Sequence, residues 1–314
     1  MGHSGMSQVD CRKNMYIGIF WKITSYFLFA CVNGIVRYLS GGSSLELETP
    51  LPIYMIMFFQ NAIGSIIILP MLLKNKKIIH SMLTSKYRNL NILRIIVSVL
   101  GIGLWYLSLQ YIPLTEVIAL SFTAPFVTIL GAVIFLQEQL NIYRIVSIVL
   151  SVIGGYLIAR PDLGLQNSAI GWFAMLPLLA TLIFALDKII TRKLLVNGSS
   201  VIGITLLLIV CLTPLCLLPT LYYGWFTPAI EQYPWLLLLG VLSVGSHFCF
   251  NKAFSYAEVT ILMPFSIIKI VFCGLIAYFI FAELPRAIDM WVGIAVVTIS
   301  AVVLNYEKKE TILR

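Results

Sequence analysis

"YIPLTEVIALSFTAPFVTILGAVIFLQE", Tyr111 to Glu138, returns without a gap as "YAEVTILMPFSIIKIVFCGLIAYFIFAE", Tyr256 to Glu283. The pairs Tyr111/Tyr256, Thr115/Thr260, Ser121/Ser266, Leu130/Leu275, Ala132/Ala277 and Glu138/Glu283 are identical. Apolar sequence of low complexity yields some matches by chance, but both copies also close on a glutamate just past a helix-length apolar run. A chain that repeats itself at long range is built from two related halves, and that decides how the rest is read.

Each copy is long enough to cross a bilayer, whose hydrocarbon core takes roughly 17 to 25 apolar residues of helix. With 60% hydrophobic and 11% charged residues, the 314-residue chain lies far outside the soluble globular range of about 25% charged. Only hydrogen-bonded helices or closed barrels cross lipid, and the apolar runs here have helix length. Working outward from the repeat predicts ten spans: Tyr16 to Tyr38, Pro52 to Leu73, Asn91 to Gln110, Leu114 to Leu136 and Ile142 to Ala159, then Ala169 to Ile190, Val201 to Tyr222, Pro234 to Phe254, Val259 to Phe281 and Ile288 to Asn305. Five spans separate the two copies. An odd number inserts the second upside down, so the expected architecture is an all-α integral membrane protein of ten transmembrane helices, arranged as two inverted five-helix repeats over residues 1–165 and 166–314. Inverted repeats recur in secondary transporters, with the substrate held near the midplane where the halves meet. The plainer alternative is a duplication that serves only to build a stable bundle.

Net charge is +8, yet its distribution points away from nucleic acid. If the N-terminus is cytoplasmic, all of the 21 Lys and Arg except Arg37, Arg160, Arg286 and Lys269 fall at or near cytoplasmic ends. This is the positive-inside bias that orients membrane proteins, and it puts both termini in the cytoplasm. The first span is too long for a signal-peptide core and has no small-residue cleavage site, so it is expected to stay as an anchor. Met6 stands where a myristoylation signal needs Ser or Thr.

Small residues mark one face of each repeated helix. Ser121, Ala124, Thr128 and Ala132 recur at spacings of three and four, matched by Ser266, Lys269, Cys273 and Ala277. Small faces let helices approach closely or leave room for a ligand. Lys269 breaks its pattern, about 15 Å from either end of its span at 1.5 Å per residue. A lysine side chain reaches only about 6 Å, too short to snorkel to a headgroup. A charge left unpaired at that depth costs roughly 2.5 to 3.5 kcal/mol on insertion scales, so Lys269 needs a partner or water. Three roles fit: counter-ion for a carboxylate or phosphate on a solute, pairing with Glu116 or Asp187, or an ammonium that loses its proton.

Asn33, Gln60, Asn61, Trp105, His247 and Asn251 are the other polar groups at depth. We take Lys269, Ser266, His247, Asn251, Trp105, Asn33, Gln60 and Ser121 as the candidate substrate-binding set. Each alone is more often a helix-to-helix hydrogen bond. Ser147, Ser151 and Gly155 form a packing face. No GxxxxGK[ST], HExxH or GxSxG motif occurs, the six cysteines form no CxxC pair, and His247 has no acidic or Cys/His cluster around it. Neither ATP-driven pumping nor a cofactor or metal is indicated.

"ALSFTAPFVTILGAVIFLQEQLNIYRIVSIVLSVIGGYLIARP", Ala119 to Pro161, resembles the signature half of EamA-type transporters in the drug/metabolite transporter superfamily. The stretch "PFSIIKIVFCGLIAYFIFAELPRAIDMWVGIAVVTISAVVL" is similar, and the resemblance covers nearly the whole chain. "FALDKIITRK" and "YFIFAE" are reminiscent of S-adenosylmethionine uptake carriers of intracellular bacteria. The resemblance implies a bacterial inner-membrane permease for small organic solutes, with helices one, three, four, six, eight and nine around a central path. Two positions depart from the pattern. Gln60 follows the aromatic pair of the second span where the family often has Arg, and Asn33 stands in a first span that carries Glu in small multidrug members. A midplane lysine repels cationic drugs.

The expected function is therefore a secondary active or facilitative carrier of a small metabolite, amino-acid-like or carboxylate-bearing, S-adenosylmethionine among the candidates. It needs only solute and bilayer, and is expected to be a monomer, with a dimer as the alternative. The rival is a membrane-embedded enzyme acting on a lipid-linked substrate through Lys269 or His247. It would need a second catalytic group that the sequence does not supply.

Overall fold

The computed structural model describes residues 8–41, 49–74, 87–112, 124–137, 141–159, 175–262 and 264–281, with isolated positions elsewhere. Within these residues the protein is helical and without strands. The helices are α1 (Gln8–Leu39), α2 (Ile53–Lys74), α3 (Arg88–Tyr111), α4 (Ala124–Leu136), α5 (Ile142–Ala159), α6 (Met175–Val196), α7 (Val201–Tyr223), α8 (Tyr233–Tyr256), α9 (Val259–Leu262) and α10 (Ile268–Phe281). Stretches within α1, α2, α3, α7 and α8 are long and apolar enough to cross a membrane. The tenth predicted span, Ile288 to Asn305, lies almost wholly outside the described residues.

Local signals set where helices stop. α6 runs past its predicted end at Ile190 to Val196, where Gly198 adopts φ 86°. Ser199 N–H then donates to the Leu194 carbonyl at 3.0 Å and Gly198 N–H to the Leu195 carbonyl at 3.1 Å. That is the paired cap a left-handed glycine makes, and it satisfies carbonyls the helix would otherwise leave open. Ser200 opens α7 from an extended backbone.

The ninth span differs from expectation. Val259 to Phe281 reads as one unbroken helix in sequence, yet α9 ends at Leu262 and Pro264–Ile267 forms a tighter 3-10 turn before α10 begins. Proline has no N–H to continue the ladder and crowds the preceding turn. Lys269 therefore stands in the first turn of a new helix, where unpaired backbone N–H groups add positive potential.

The most extensive packing joins α1 with α8, then α3 with α6, α2 with α7, and equally α1 with α10, α2 with α8 and α4 with α6. Exchanging each helix for the one five spans later, with α9 and α10 counted as the ninth, carries these pairs into one another except α2 with α8, whose counterpart α3 with α7 packs much less. α1 against α8 becomes α6 against α3, α1 against α10 becomes α6 against α4, and α2 against α7 returns to itself. Each of these pairs joins one of α1–α4 to one of α6–α10, so neither set of helices buries its apolar faces alone. Where α2 crosses α8 the backbones are close: a methyl added at Gly240 would lie 2.6 Å from the Ile63 side chain, which only glycine avoids. Thr128, Ala132, Cys273 and Ala277, from the two small-residue faces, are all buried.

Candidate functional site

A cavity lies among α1, α2, α3, α6 and α8. Its walls are Phe29 and Val32 of α1, Gln60 of α2, Ile102, Trp105 and Tyr106 of α3, Phe184 of α6, and Ser243, Ser246 and His247 of α8, enclosing about 280 Å³ with its mouth included. The part of that space a water can enter is only about 10 Å³, room for about one water, so in this conformation the site is closed around its lining. Helical spacing explains the lining. Ile102 and Tyr106 are four apart on α3, as are Ser243 and His247 on α8, so each pair points the same way.

The lysine of the broken helix meets this cavity through its aromatic wall. Lys269 Nζ lies 4.1 Å from the centre of the Trp105 ring and 5.6 Å from that of Phe29. Desolvated cation–π contacts reach about 2 kcal/mol, which leaves part of the cost of a buried ammonium uncompensated. Lys269 is half-buried. Trp105 is held from its edge: its indole N–H donates to Asn33 Oδ1 at 3.2 Å, and Asn33 Nδ2 approaches Cys273 Sγ at 3.9 Å. The face of Trp105 under the ammonium is thus fixed by α1 and α10 together.

Gln60 is equally constrained. Tyr106 Oη donates to Gln60 Oε1 at 2.7 Å and Gln60 Nε2 donates to Ser243 Oγ at 2.6 Å. His247 lines the cavity and packs edge-on against Phe29, with centroids 6.1 Å apart. Ser266 accepts from Tyr26 Oη at 2.9 Å, one turn from Lys269 but off the cavity wall. Ser121 is half-buried and is not part of the lining. Asn61 turns back to the Met57 carbonyl at 2.8 Å and to Cys216 Sγ at 3.8 Å.

Asn251 belongs to a different structure. Arg94, which charge patterning assigns to the rim, is 3% exposed. It donates to Thr191 Oγ1 at 2.7 Å, the Ile204 carbonyl at 3.2 Å and Asn251 Oδ1 at 3.1 Å, and pairs with Asp187 at 3.4 Å. Ser98 Oγ donates to Asp187 at 2.7 Å, and Asn251 Nδ2 donates to Thr205 at 2.8 Å. Asp187 is therefore engaged by Arg94 and Ser98 rather than by Lys269, and Asn251 ties α8 to α3 and α7. Glu116, the other carboxylate considered for Lys269, lies outside the described residues. Lys22, also expected at the rim, is wholly buried. Its Nζ sits 3.9 Å from the Phe250 ring centre, 4.0 Å from Phe254 and 5.0 Å from Tyr26. Both positions fall inside their predicted spans, and that depth is the signal that could have separated them from rim charges.

A polar-spotted cavity between helices from both ends of a chain, ringed by membrane-length helices, is an arrangement that membrane transporters for small molecules use. Residues 16–160 match the EamA-like transporter family. A riboflavin transporter of Vibrio cholerae is 30% identical over 299 residues, 94% of this chain and 95% of that one. The chain belongs to the EamA-like family of the drug/metabolite transporter superfamily, whose relatives are named as transporters and not as enzymes. An S-adenosylmethionine uptake transporter of Rickettsia prowazekii is 28% identical over 302 residues, covering 96% of each chain. A pseudopaline exporter of Pseudomonas aeruginosa is 24% identical over 295 residues, 93% of this chain and 97% of its own. A solved crystal structure with 12% identity shares the fold, with a TM-score of 0.73 over 96% of this chain and 99% of that one.

Proposed function

We propose that this protein is a secondary carrier of the bacterial inner membrane in which two inverted five-helix halves, residues 1–165 and 166–314, rock about the central cavity. The substrate we assign is a flat heteroaromatic metabolite with an acidic group. Its ring lies among Phe29, Trp105, Phe184 and His247, hydrogen-bonded by Gln60 and Ser243, and its acidic group displaces the Lys269 ammonium from the Trp105 face. Both termini face the cytoplasm on this reading, in line with the clustering of Lys and Arg.

The observation that carries it is the Lys269 ammonium 4.1 Å above Trp105 at the edge of a cavity built from α1, α2 and α3 with α6 and α8. Two others support it. Most of the main helix pairs survive exchange of helices five spans apart, as inverted halves require. Riboflavin and S-adenosylmethionine, named for two relatives, both join a fused nitrogen heterocycle to a sugar-derived chain. A single protein in liposomes, given labelled heteroaromatic metabolites, should accumulate or exchange at least one. Lys269→Ala should weaken that movement by about 10- to 100-fold while the folded protein persists by size-exclusion chromatography. Chemical turnover without movement across the bilayer would overturn the carrier in favour of an enzyme.

A further inference from the structure

The polar groups at depth divide by what they have left to offer a solute. Asn33, Asn61 and Asn251 bond to neighbouring helices or to their own, and none of them lines the cavity. His247 does line it, packed edge-on against Phe29, and no hydrogen bond within the protein occupies either ring nitrogen. In its neutral form the imidazole offers one N–H donor and one bare acceptor, both unspent. Gln60 is half spent. It accepts from Tyr106 and donates to Ser243, which leaves one lone pair and one N–H. Ser243 and His247 are one turn apart on the same face of α8, about 6 Å along its axis, so the imidazole and the Gln60–Ser243 pair form one polar strip. Elsewhere the lining is mostly aliphatic and aromatic surface, and the Trp105 N–H is already taken by Asn33. Because the site closes to room for about one water, a donor or acceptor of the strip that meets no partner on the solute goes unhydrated.

Resting on the carrier reading above, we infer that His247 is the residue that selects the solute's ring, reading an edge on which an N–H stands beside a bare ring nitrogen or a carbonyl oxygen, as in lactams and aminopyrimidines. His247 accepts from that N–H, and the free Gln60 N–H donates to the neighbouring acceptor. A mixed strip needs a mixed edge: a ring whose nitrogen is alkylated leaves the bare imidazole nitrogen unanswered. The selecting role falls to His247 because Gln60 is tethered to the protein at both ends of its amide, whereas the hydrogen-bonding capacity of the imidazole is committed to the solute alone.

The test uses probes matched in charge, so that attraction to Lys269 cancels: riboflavin 5′-phosphate against its 3-methyl derivative, and adenosine 5′-monophosphate against its N6,N6-dimethyl derivative. Each methylated probe keeps the ring and loses the N–H. With the full chain in liposomes, the unmethylated probe of at least one pair should exchange about 10- to 100-fold more efficiently than its partner, the effect of one buried group left unpaired. His247→Phe keeps an aromatic ring on Phe29 and strips no hydrogen bond from the protein. It should bring the ratio to within about three-fold, by raising the apparent KM of the unmethylated probe with its maximal rate unchanged. His247→Gln restores one donor and one acceptor and should restore the preference, whereas a role confined to packing would be kept by Phe and lost by Gln. Should His247→Phe fold poorly, the parent protein in detergent gives an independent reading, because the unmethylated probes should raise its melting temperature more than the methylated ones. Equal exchange within both pairs, or an unchanged ratio in folded His247→Phe, would overturn the edge reading and leave the carrier standing. Exchange of none of the four by folded protein, with no thermal shift, would overturn both.

Discussion

Arg94 and Lys269 are both cations well inside the bundle, and the protein treats them oppositely. The Arg94 guanidinium is enclosed by Thr191, the Ile204 carbonyl, Asn251 and Asp187, which bind α3 to α6, α7 and α8. Lys269 has no such ring of acceptors and rests over Trp105 and Phe29. A buried charge whose hydrogen bonds are all made within the protein has nothing left for a solute and serves to fix helices. A buried charge met only by π faces has its hydrogen-bonding capacity in reserve. Side-chain chemistry alone would not separate the two, since both are basic residues in apolar helices.

The sharpest way to break this contrast is at Asp187. Asp187→Ala leaves Arg94 buried without its counter-charge, and we expect a loss of about 3 to 5 kcal/mol, read as a collapse of folded yield or of the unfolding midpoint in detergent. Replacing the pair together, Arg94→Met with Asp187→Leu, should recover most of that loss, because an apolar pair of similar volume needs no desolvation. A single variant as stable as the parent would mean that Thr191, the Ile204 carbonyl and Asn251 satisfy the Arg94 guanidinium without Asp187. Lys269→Ala should behave the other way. Removing an incompletely compensated charge leaves the unfolding midpoint within a few degrees, while the affinity read from uptake falls by about 10- to 100-fold, the worth of a charge-assisted hydrogen bond of about 1.5 to 3 kcal/mol.

The fold was legible in sequence for reasons that explain what was not. Hydrophobic run length is dictated by bilayer thickness, so α1, α2, α3, α7 and α8 appear where predicted, within the few residues that helix ends allow. The 145-residue repeat depends only on matching runs, which a sequence displays directly. The break at Pro264 was visible as a proline but outvoted by the apolar run around it. Trp105, Gln60 and His247 were found because polar or amphipathic groups at depth stand out. Phe29, Ile102, Tyr106 and Phe184 were not, because in a membrane helix an aromatic or aliphatic residue looks the same whether it faces lipid, a neighbour or a solute. Arg94 and Lys22 were assigned to the rim on charge bias alone, and nothing one-dimensional reports that Thr191 and Asn251, or Phe250 and Phe254, await them.

A smaller effect tests the scaffold around the cavity. The Gly240 crossing brings α8 against α2, the helices that carry Ser243 and Gln60. Gly240→Val pushes the Ile63 side chain and should cost about 1 to 3 kcal/mol by overpacking, with uptake falling because the Gln60–Ser243 distance of 2.6 Å can no longer close. Ile63→Ala in the same chain should restore both readings. Recovery of stability without recovery of uptake would show that the crossing sets more than spacing.

The smallest effect, and the finest division between architecture and site, is at Tyr106. Its hydroxyl donates to Gln60 at 2.7 Å, so Gln60 has one hydrogen bond to each of α3 and α8 and is either a fastener like Asn251 or a solute contact held in readiness. Tyr106→Phe deletes a single membrane-buried hydrogen bond, worth on average about 0.6 kcal/mol in such settings, and should barely move the unfolding midpoint. If Gln60 serves the solute, loss of its tether frees the amide to rotate, and the apparent KM rises a few-fold with the maximal rate unchanged, because only binding is touched. If Gln60 is a fastener, the variant leaves KM alone and any change follows stability. Gln60→Leu then decides the sign: a site residue loses uptake while the fold persists, whereas a fastener loses the fold first, since Ser243 and Tyr106 are left facing an apolar side chain.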